Sequence, residues 1–488
     1  MEATTRVTTV SQLPLQNIPG TYGVPYFGAI KDRLDFFWFQ GIETFFKSRV
    51  EKYNSTVFRV NMPPGPPGFP DPRVITLLDQ KSFPTLFDID RVEKRDVFVG
   101  TYMPSVSYTG GYRVLPYLDP SEERHTKLKT FCFELIKDNG RELFFEFSKA
   151  LGESFLVWES SLAKSGTASF STECVQFAFN FLIRAIVHRD PVAPGEASLG
   201  TKGGTYASLW TAPQLIPVTN IGLPQPIEQL FLHSFPLPFI LVESPYNSLF
   251  KFISTYATDA LAKANELGLN RDDATHNLLF FLSFNAFGGF NIFLPSVVKA
   301  IAGAGPKLMR ELAAEVKDVL ATTGENKITL QALEKMALVN SVTYECFRLN
   351  PPVPYQYGRA KKDFIIESHD ASYKIENGEM LFGYQPFATR DPKVFVDPDT
   401  FVPKRFLGPE GEKLISSVFW SNGRETDEPT VGNKQCPAKD LVVTISRLFV
   451  AELFNRYERF ELAPSPVGSP SPTSLVTFIS LKKNITSS

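Results

Sequence analysis

The chain has 488 residues and carries 50 basic against 52 acidic side chains, a formal net charge of −2. That balance supplies neither the basic field of a nucleic-acid binder nor an acidic solvating tail. With 43% hydrophobic and 21% charged residues the composition is that of a globular protein, and four cysteines (Cys132, Cys174, Cys346 and Cys436) are too few and too scattered for a disulfide framework or a zinc cluster, which favours a reducing compartment. Phenylalanine is over-used: 44 Phe against 16 Tyr and 4 Trp points to a large apolar interior or an apolar ligand channel, because most of these rings have no polar handle.

In chain order, the first 20 residues, MEATTRVTTVSQLPLQNIPG, have no hydrophobic leader core and are too short and mixed for a transit peptide, so a soluble protein is expected, cytoplasmic in preference to plastid. No run of 18 uninterrupted apolar residues occurs, and no spanning helix is expected. The aromatic run Phe36, Phe37, Trp38, Phe39 reads as a core face, with a peripheral membrane contact as the alternative. Residues 56–60 and 74–78 are strand-like, and PPGPPGFP at 63–70 reads as a loop, since Pro removes a donor and restricts its predecessor. From about residue 91 the pattern is mainly helical, with a second strand-rich patch at 363–379. The clearest helices are expected at about 272–293, 330–349 and 437–454; in the last, Leu441, Ile445, Leu448, Phe449 and Leu453 share a face. A second loop, APSPVGSPSP, spans 463–472. No repeat is present. The expectation is one domain over 1–488, mainly α with small β-sheets: a β-rich portion at roughly 20–90 and a helical body at roughly 91–488.

The most informative residue is Cys436, in GNKQCPAKDLVV. It precedes Pro437, a residue suited to the first position of a helix, so its sulfur is expected at the positive helix end, where thiolate is favoured. Such a thiolate, four residues after Gly432 and two after Lys434, could grip a haem iron while Lys434 reaches a propionate. A buried structural cysteine would read the same way in isolation. Two further motifs change the weighting. Glu345 and Arg348 stand at i and i+3 on one helix face, and about 60 residues later Arg405 follows a Pro-punctuated loop in FVPKRF. In this order and spacing the three motifs resemble the haem-thiolate cytochrome P-450 superfamily, over essentially the whole chain. The resemblance implies one haem b, Cys436 as the axial metal ligand, and Glu345, Arg348 and Arg405 as a structural triad.

The departures from the usual monooxygenase pattern are more informative than the match. Oxygen-activating members resemble one another in an acid followed by a threonine on a central helix; here the corresponding stretch, FFLSFNAFGGFNIFL at 280–294, holds no Asp, Glu or Thr. The loop before Cys436 carries an inserted RETDEPTVG, and Ala438 stands where Gly is usual. These features, with GGYRVLPYLDPSEERHTKLK and NPPVPYQYGRAKKDF, resemble the plant-type branch that metabolises fatty-acid hydroperoxides: allene oxide synthases, hydroperoxide lyases and divinyl ether synthases. That resemblance implies a substrate bringing both oxygens and its own oxidising equivalents, so that O–O cleavage needs no dioxygen, NADPH or redox partner. Oxidation and proton loss from the carbon radical that follows give an allene oxide, a step in oxylipin formation; rebound and fragmentation give aldehydes. It also implies Lys94, His125, Lys129 and Lys434 as propionate partners, Asn285 as the residue holding the hydroperoxide, and Phe98 as the channel ring beside the reacting carbon. Phe98 and YQYGRAKKDF favour the allene oxide synthase outcome; FNAFGGFNIFLP keeps the lyase as the alternative, and a non-catalytic lipid carrier is opposed by the intact cysteine and triad.

Overall fold

At residues 57–60 and 74–78 the apolar side chains divide between two apolar environments, and such alternation builds a sheet. The computed structural model describes residues 13–325, 327–464 and 475–484. Its largest sheet has five strands, β1 (Arg59–Asn61), β2 (Arg73–Thr76), β3 (Val92–Glu93), β4 (Tyr355–Ala360) and β5 (Met380–Tyr384), in the order β1-β2-β5-β4-β3. Val60 faces Val74 across an antiparallel pair, Ile75 faces Leu381 across the parallel pair β2/β5, and β4 is antiparallel to both its neighbours. Val74 and Phe382 enter an aromatic cluster with Phe36, Phe37, Phe45 and Phe46, whereas Ile75 and Leu381 point the other way, to Phe83 and Leu86. The β portion is therefore not confined to residues 20–90. Two of its five strands arrive from the C-terminal half, and the patch expected at 363–379 forms a separate small sheet in which Phe364–Glu367 and Ser372–Ile375 pair and Leu15–Gln16 joins the edge.

The helical body is organised by α1 (Glu123–Ser165), α2 (Phe170–Val187), α3 (Arg271–Ala304), α4 (Ala337–Leu349) and α5 (Lys439–Arg456). Asn270 caps α3, accepting from the N–H groups of Asp272 and Asp273, and those two acids complement the helix dipole. α2 and α3 are long and apolar enough to cross a membrane, yet most of their residues are buried inside the protein, as befits helices that are apolar nearly all round.

Three helix expectations change. The helix expected at 272–293 continues through Pro295 to Ala304, because tertiary packing on both sides of the proline outweighs the lost hydrogen bond. The one expected at 330–349 is broken at Met336, whose ψ of 79° is not helical, into Leu330–Lys335 and α4. The third begins at Lys439, so Pro437 precedes the helix instead of opening it: the Lys439 N–H closes a turn onto the Cys436 carbonyl at 3.3 Å. Most of the 463–472 loop and residues 1–12 of the leader reading lie outside the described residues.

Candidate active site

α4 places Glu345 and Arg348 on one buried face, and neither side chain is exposed. Arg348 donates to both Glu345 oxygens at 2.7 and 2.8 Å, and Arg405 Nε reaches the same carboxylate at 3.0 and 3.1 Å. The remaining guanidinium donors bind carbonyls of Thr389, Pro398, Thr400, Val396 and Asp397, and Glu345 also accepts the Val402 N–H at 2.8 Å. The triad thus locks α4 to the loop at 389–405. Charges so deeply buried persist only when paired and fully hydrogen-bonded.

A second set of buried charges forms no ion pair among the described residues. Lys94 follows directly from β3 and donates to the Tyr357 carbonyl on β4. His125 and Lys129, one turn apart on α1, are both buried. Lys129 Nζ binds the Asn433 carbonyl at 2.6 Å and its Oδ1 at 3.0 Å; Lys434 Nζ binds the carbonyls of Leu115 and Leu118 at 2.8 and 2.5 Å. Burial pushes Lys94 and Lys434 down to about 7 and Lys129 to about 8, and it pushes His125 down to about 3, with Lys434 and Lys129 adding repulsion. The neighbouring carboxylates are engaged elsewhere: Asp119 accepts the Lys94 and Ser121 N–H groups, and Glu122 pairs with Arg113 at 2.7 Å. His125 Nδ1 is buried without a partner among the described residues. Three ammonium groups and an imidazole within electrostatic reach of one another, opposed only in part by Asp119 and Glu122 and in no ion pair among the described residues, fit a bound group carrying two negative charges.

Cys436 adjoins this cluster. Its thiol is raised by burial and lowered in turn by the Ala438 N–H and by the Lys129 and Lys439 ammonium groups, so each of these groups stabilises a thiolate. Cys132, one turn beyond Lys129 on α1, feels the same sulfur and is pushed up to about 12, chiefly by burial.

Phe98 touches both the 114–119 loop, at Tyr117, and α3, at Phe284, the neighbour of Asn285. The Phe98 ring packs edge-on against Tyr117 at 5.7 Å and Phe284 at 6.0 Å. That loop is a hub: it accepts from Lys434, its Tyr117 carbonyl receives the Asp96 N–H, and its Leu115 N–H donates to Asn277 of α3 at 3.1 Å. Within α3, residues Phe280–Ala286 form a π-helical turn, a widening often found at functional sites, and Asn285 sits in it. Asn285, Gly288, Gly289 and Ile292 recur at helical spacing and are all at least partly accessible, and a Cβ on either glycine would meet nothing within 4 Å. The stretch thus presents an open face with one amide on it, while Phe281, Leu282, Phe287 and Phe290 are buried in the core.

The structure brings together Lys94, His125, Lys129, Lys434 and Cys436, and it brings Phe98 beside the turn that holds Asn285. Sequence reasoning missed the carbonyls of Leu115 and Leu118, Asn433 and the π-turn, none of which has a local signature. It also missed Glu425, inside the insertion, which is buried. With Asp427 and Glu428 in the same insertion, nothing local singles out Glu425.

The family model for cytochrome P450 matches residues 304–460. The chain is 51% identical to a chloroplastic allene oxide synthase of Arabidopsis thaliana, covering 96% of this chain and 90% of that protein, and 50% identical to a chloroplastic allene oxide synthase of Linum usitatissimum, covering 97% and 87%. A divinyl ether synthase of Selaginella moellendorffii is 46% identical over 92% of each chain. With the buried triad and the cysteine loop, this similarity over nearly the whole length shows that the chain belongs to the cytochrome P450 family, in the branch that contains the plant allene oxide synthases.

Proposed function

We propose that this protein is an allene oxide synthase that dehydrates polyunsaturated fatty-acid hydroperoxides. The observation that carries the reading is the open face of α3: a single amide, Asn285, beside an aromatic wall, in a stretch with no acid or threonine to deliver protons to dioxygen. Membership of the family implies a haem with an axial thiolate, and the cluster around Cys436 fits it. Cys436 would ligate the iron, while Lys94, His125, Lys129 and Lys434 would hold the two propionates. When bound, the haem supplies the one-electron chemistry that cleaves the hydroperoxide O–O bond and oxidises the resulting carbon radical.

The side chains then have separable tasks. The Asn285 amide donates to the hydroperoxide and fixes its orientation, and the uncovered Gly288 and Gly289 leave room for the lipid chain. Phe98, braced by Tyr117 and Phe284, presents its ring to the electron-poor carbon. A hydroperoxide lyase is the second reading, favoured by the Phe/Gly-rich FNAFGGFNIFLP stretch. One experiment separates the two: product analysis, under anaerobic conditions without NADPH or reductase, of wild type and Phe98→Leu fed one fatty-acid hydroperoxide. Wild type should run at full rate and yield allene oxide and its ketol hydrolysis products. Loss of a desolvated π contact, worth about 1–2 kcal/mol, should move the product ratio several-fold toward chain-cleaved aldehydes, since about 1.4 kcal/mol is tenfold in rate. Strict dependence on dioxygen and a reductase would overturn the assignment, and an unchanged product ratio would reduce Phe98 to a channel wall.

We further propose a peripheral contact with a plastid membrane. The relatives named chloroplastic do not support the cytoplasmic expectation. Of the aromatic run, Phe36 and Phe37 are core, whereas Trp38 and Phe39 are exposed and stacked at 5.2 Å. Beside them, residues 216–241 contain no Asp, Lys or Arg, bury their one Glu and one His, Glu228 and His233, and expose Leu230, Phe231, Phe235, Ile240 and Leu241. Arg33 ties the two segments together, donating to the His233 carbonyl and to Ser234 Oγ. An uncharged, aromatic surface suits an interfacial lipid contact. Trp38 is the one exposed tryptophan of the four, so its emission should shift to the blue with plastid-lipid vesicles, and Phe231→Asp should diminish the shift.

A further inference from the structure

We propose that Glu425, supplied by the insertion before the cysteine loop, is a positioning residue that clamps both chain segments holding Cys436 and so preserves its thiolate ligation. The proposal rests on Cys436 being the axial ligand.

Two donors converge on this side chain and a third on the carbonyl of the same residue. Tyr344 OH donates to Glu425 Oε1 at 2.8 Å, Trp420 Nε1 donates to Oε2, and Lys439 Nζ donates to the Glu425 carbonyl at 2.8 Å while lying 3.6 Å from Oε1. All four residues are buried. Tyr344 lies on α4, next to Glu345 of the triad, and Trp420 packs its ring on Phe347 of the same helix at 4.8 Å. Lys439 opens α5.

These partners flank the cysteine. Ser421, the residue after Trp420, accepts the Cys436 N–H at 3.3 Å, and the Lys439 N–H closes on the Cys436 carbonyl at 3.3 Å. Glu425 therefore holds the strand next to the Cys436 acceptor through its carboxylate and the helix start that follows the cysteine through its carbonyl, and Asp440 holds the same Lys439 ammonium at 2.6 Å. A carboxylate suits this place: Tyr344 and Trp420 donate to different oxygens, whereas an amide offers one acceptor and leaves the Lys439 ammonium, 3.6 Å from Oε1, facing a neutral group. Burial raises the Glu425 carboxyl, and the Lys439 ammonium and the Tyr344 and Trp420 hydrogen bonds oppose that rise in part.

The test reads ligation separately from activity. Wild type, Glu425→Gln, Glu425→Asp and Tyr344→Phe are loaded with haem, reduced, and exposed to carbon monoxide, and the conversion of the thiolate-type Soret band to the thiol-type band is followed, with thermal stability and haem content measured in parallel. Glu425→Gln should convert about tenfold faster than wild type, since a buried unpaired donor costs an amount of that order. Glu425→Asp, which keeps two acceptor oxygens, should convert more slowly than Glu425→Gln. Tyr344→Phe, which loses one donor and keeps its ring, should shift in the same direction by less, and it carries the test if Glu425→Gln does not fold. Variants that lose stability but keep the wild-type band and conversion rate would show Glu425 to be only structural and overturn the proposal. A wild-type protein without the thiolate-type band would instead overturn the assignment of Cys436.

Discussion

Cys436→Ser is expected to abolish both the haem-thiolate spectrum and turnover. The axial position calls for a soft, anionic ligand, and a serine hydroxyl is hard and remains protonated near neutral pH. The lysine cluster at Lys94, Lys129 and Lys434 is untouched by this change, so some haem should still bind through its propionates while the thiolate signature is gone. The ferrous carbon-monoxide spectrum, measured with haem content and hydroperoxide consumption, checks the prediction. A Cys436→Ser protein with normal spectrum and rate would contradict both the ligand assignment and the function built on it.

The second large effect is expected from Glu345→Gln. The change is nearly isosteric, yet it removes the only carboxylate that the Arg348 and Arg405 guanidinium groups share, with side-chain exposures of 0% and 6%. Breaking a buried ion pair by removing one partner typically costs about 3–5 kcal/mol, because the remaining charge is left without compensation. Here two cations are stranded, and the amide turns an NH2 toward one of them. Glu345→Gln should therefore shift the denaturation midpoint strongly downward, lower the soluble yield and release haem, since the 389–405 loop and α4 lose their common anchor. Chemical denaturation followed by tryptophan emission is a direct measure, because Trp420 rests on Phe347 of the same helix. A variant as stable as wild type would show that the backbone carbonyls around the arginines suffice.

Much of the site was legible because its signals are local. A cysteine before a proline and a helix, Glu345 and Arg348 on one helix face, and an α3 stretch without acids or threonine are patterns of neighbouring residues. Helical periodicity likewise located α3, α4 and α5, though not their ends. Pro295 was overridden by core packing, and Met336 broke a pattern whose apolar spacing looked continuous. Family resemblance named the remaining candidate residues, but it did not reveal why lysines would be found there.

The sequence by itself determined the residue types and their order: the soft ligand, the acid and two arginines that could pair, the amide on an apolar stretch, and the phenylalanine excess. The tertiary structure decided which of them meet. Lys94, at a sheet edge, Lys129, on the longest helix, and Lys434, in the cysteine loop, are separated by up to 340 residues in sequence and are gathered by the carbonyls of Tyr357, Asn433, Leu115 and Leu118. The π-turn under Asn285 and the convergence of Tyr344, Trp420 and Lys439 on Glu425 arise in the same way. The reason is physical: amphipathic periods and helix-end preferences act over a few residues, whereas buried charge must be satisfied by whatever donors and acceptors the packed chain brings within about 3 Å, and that is a property of the fold.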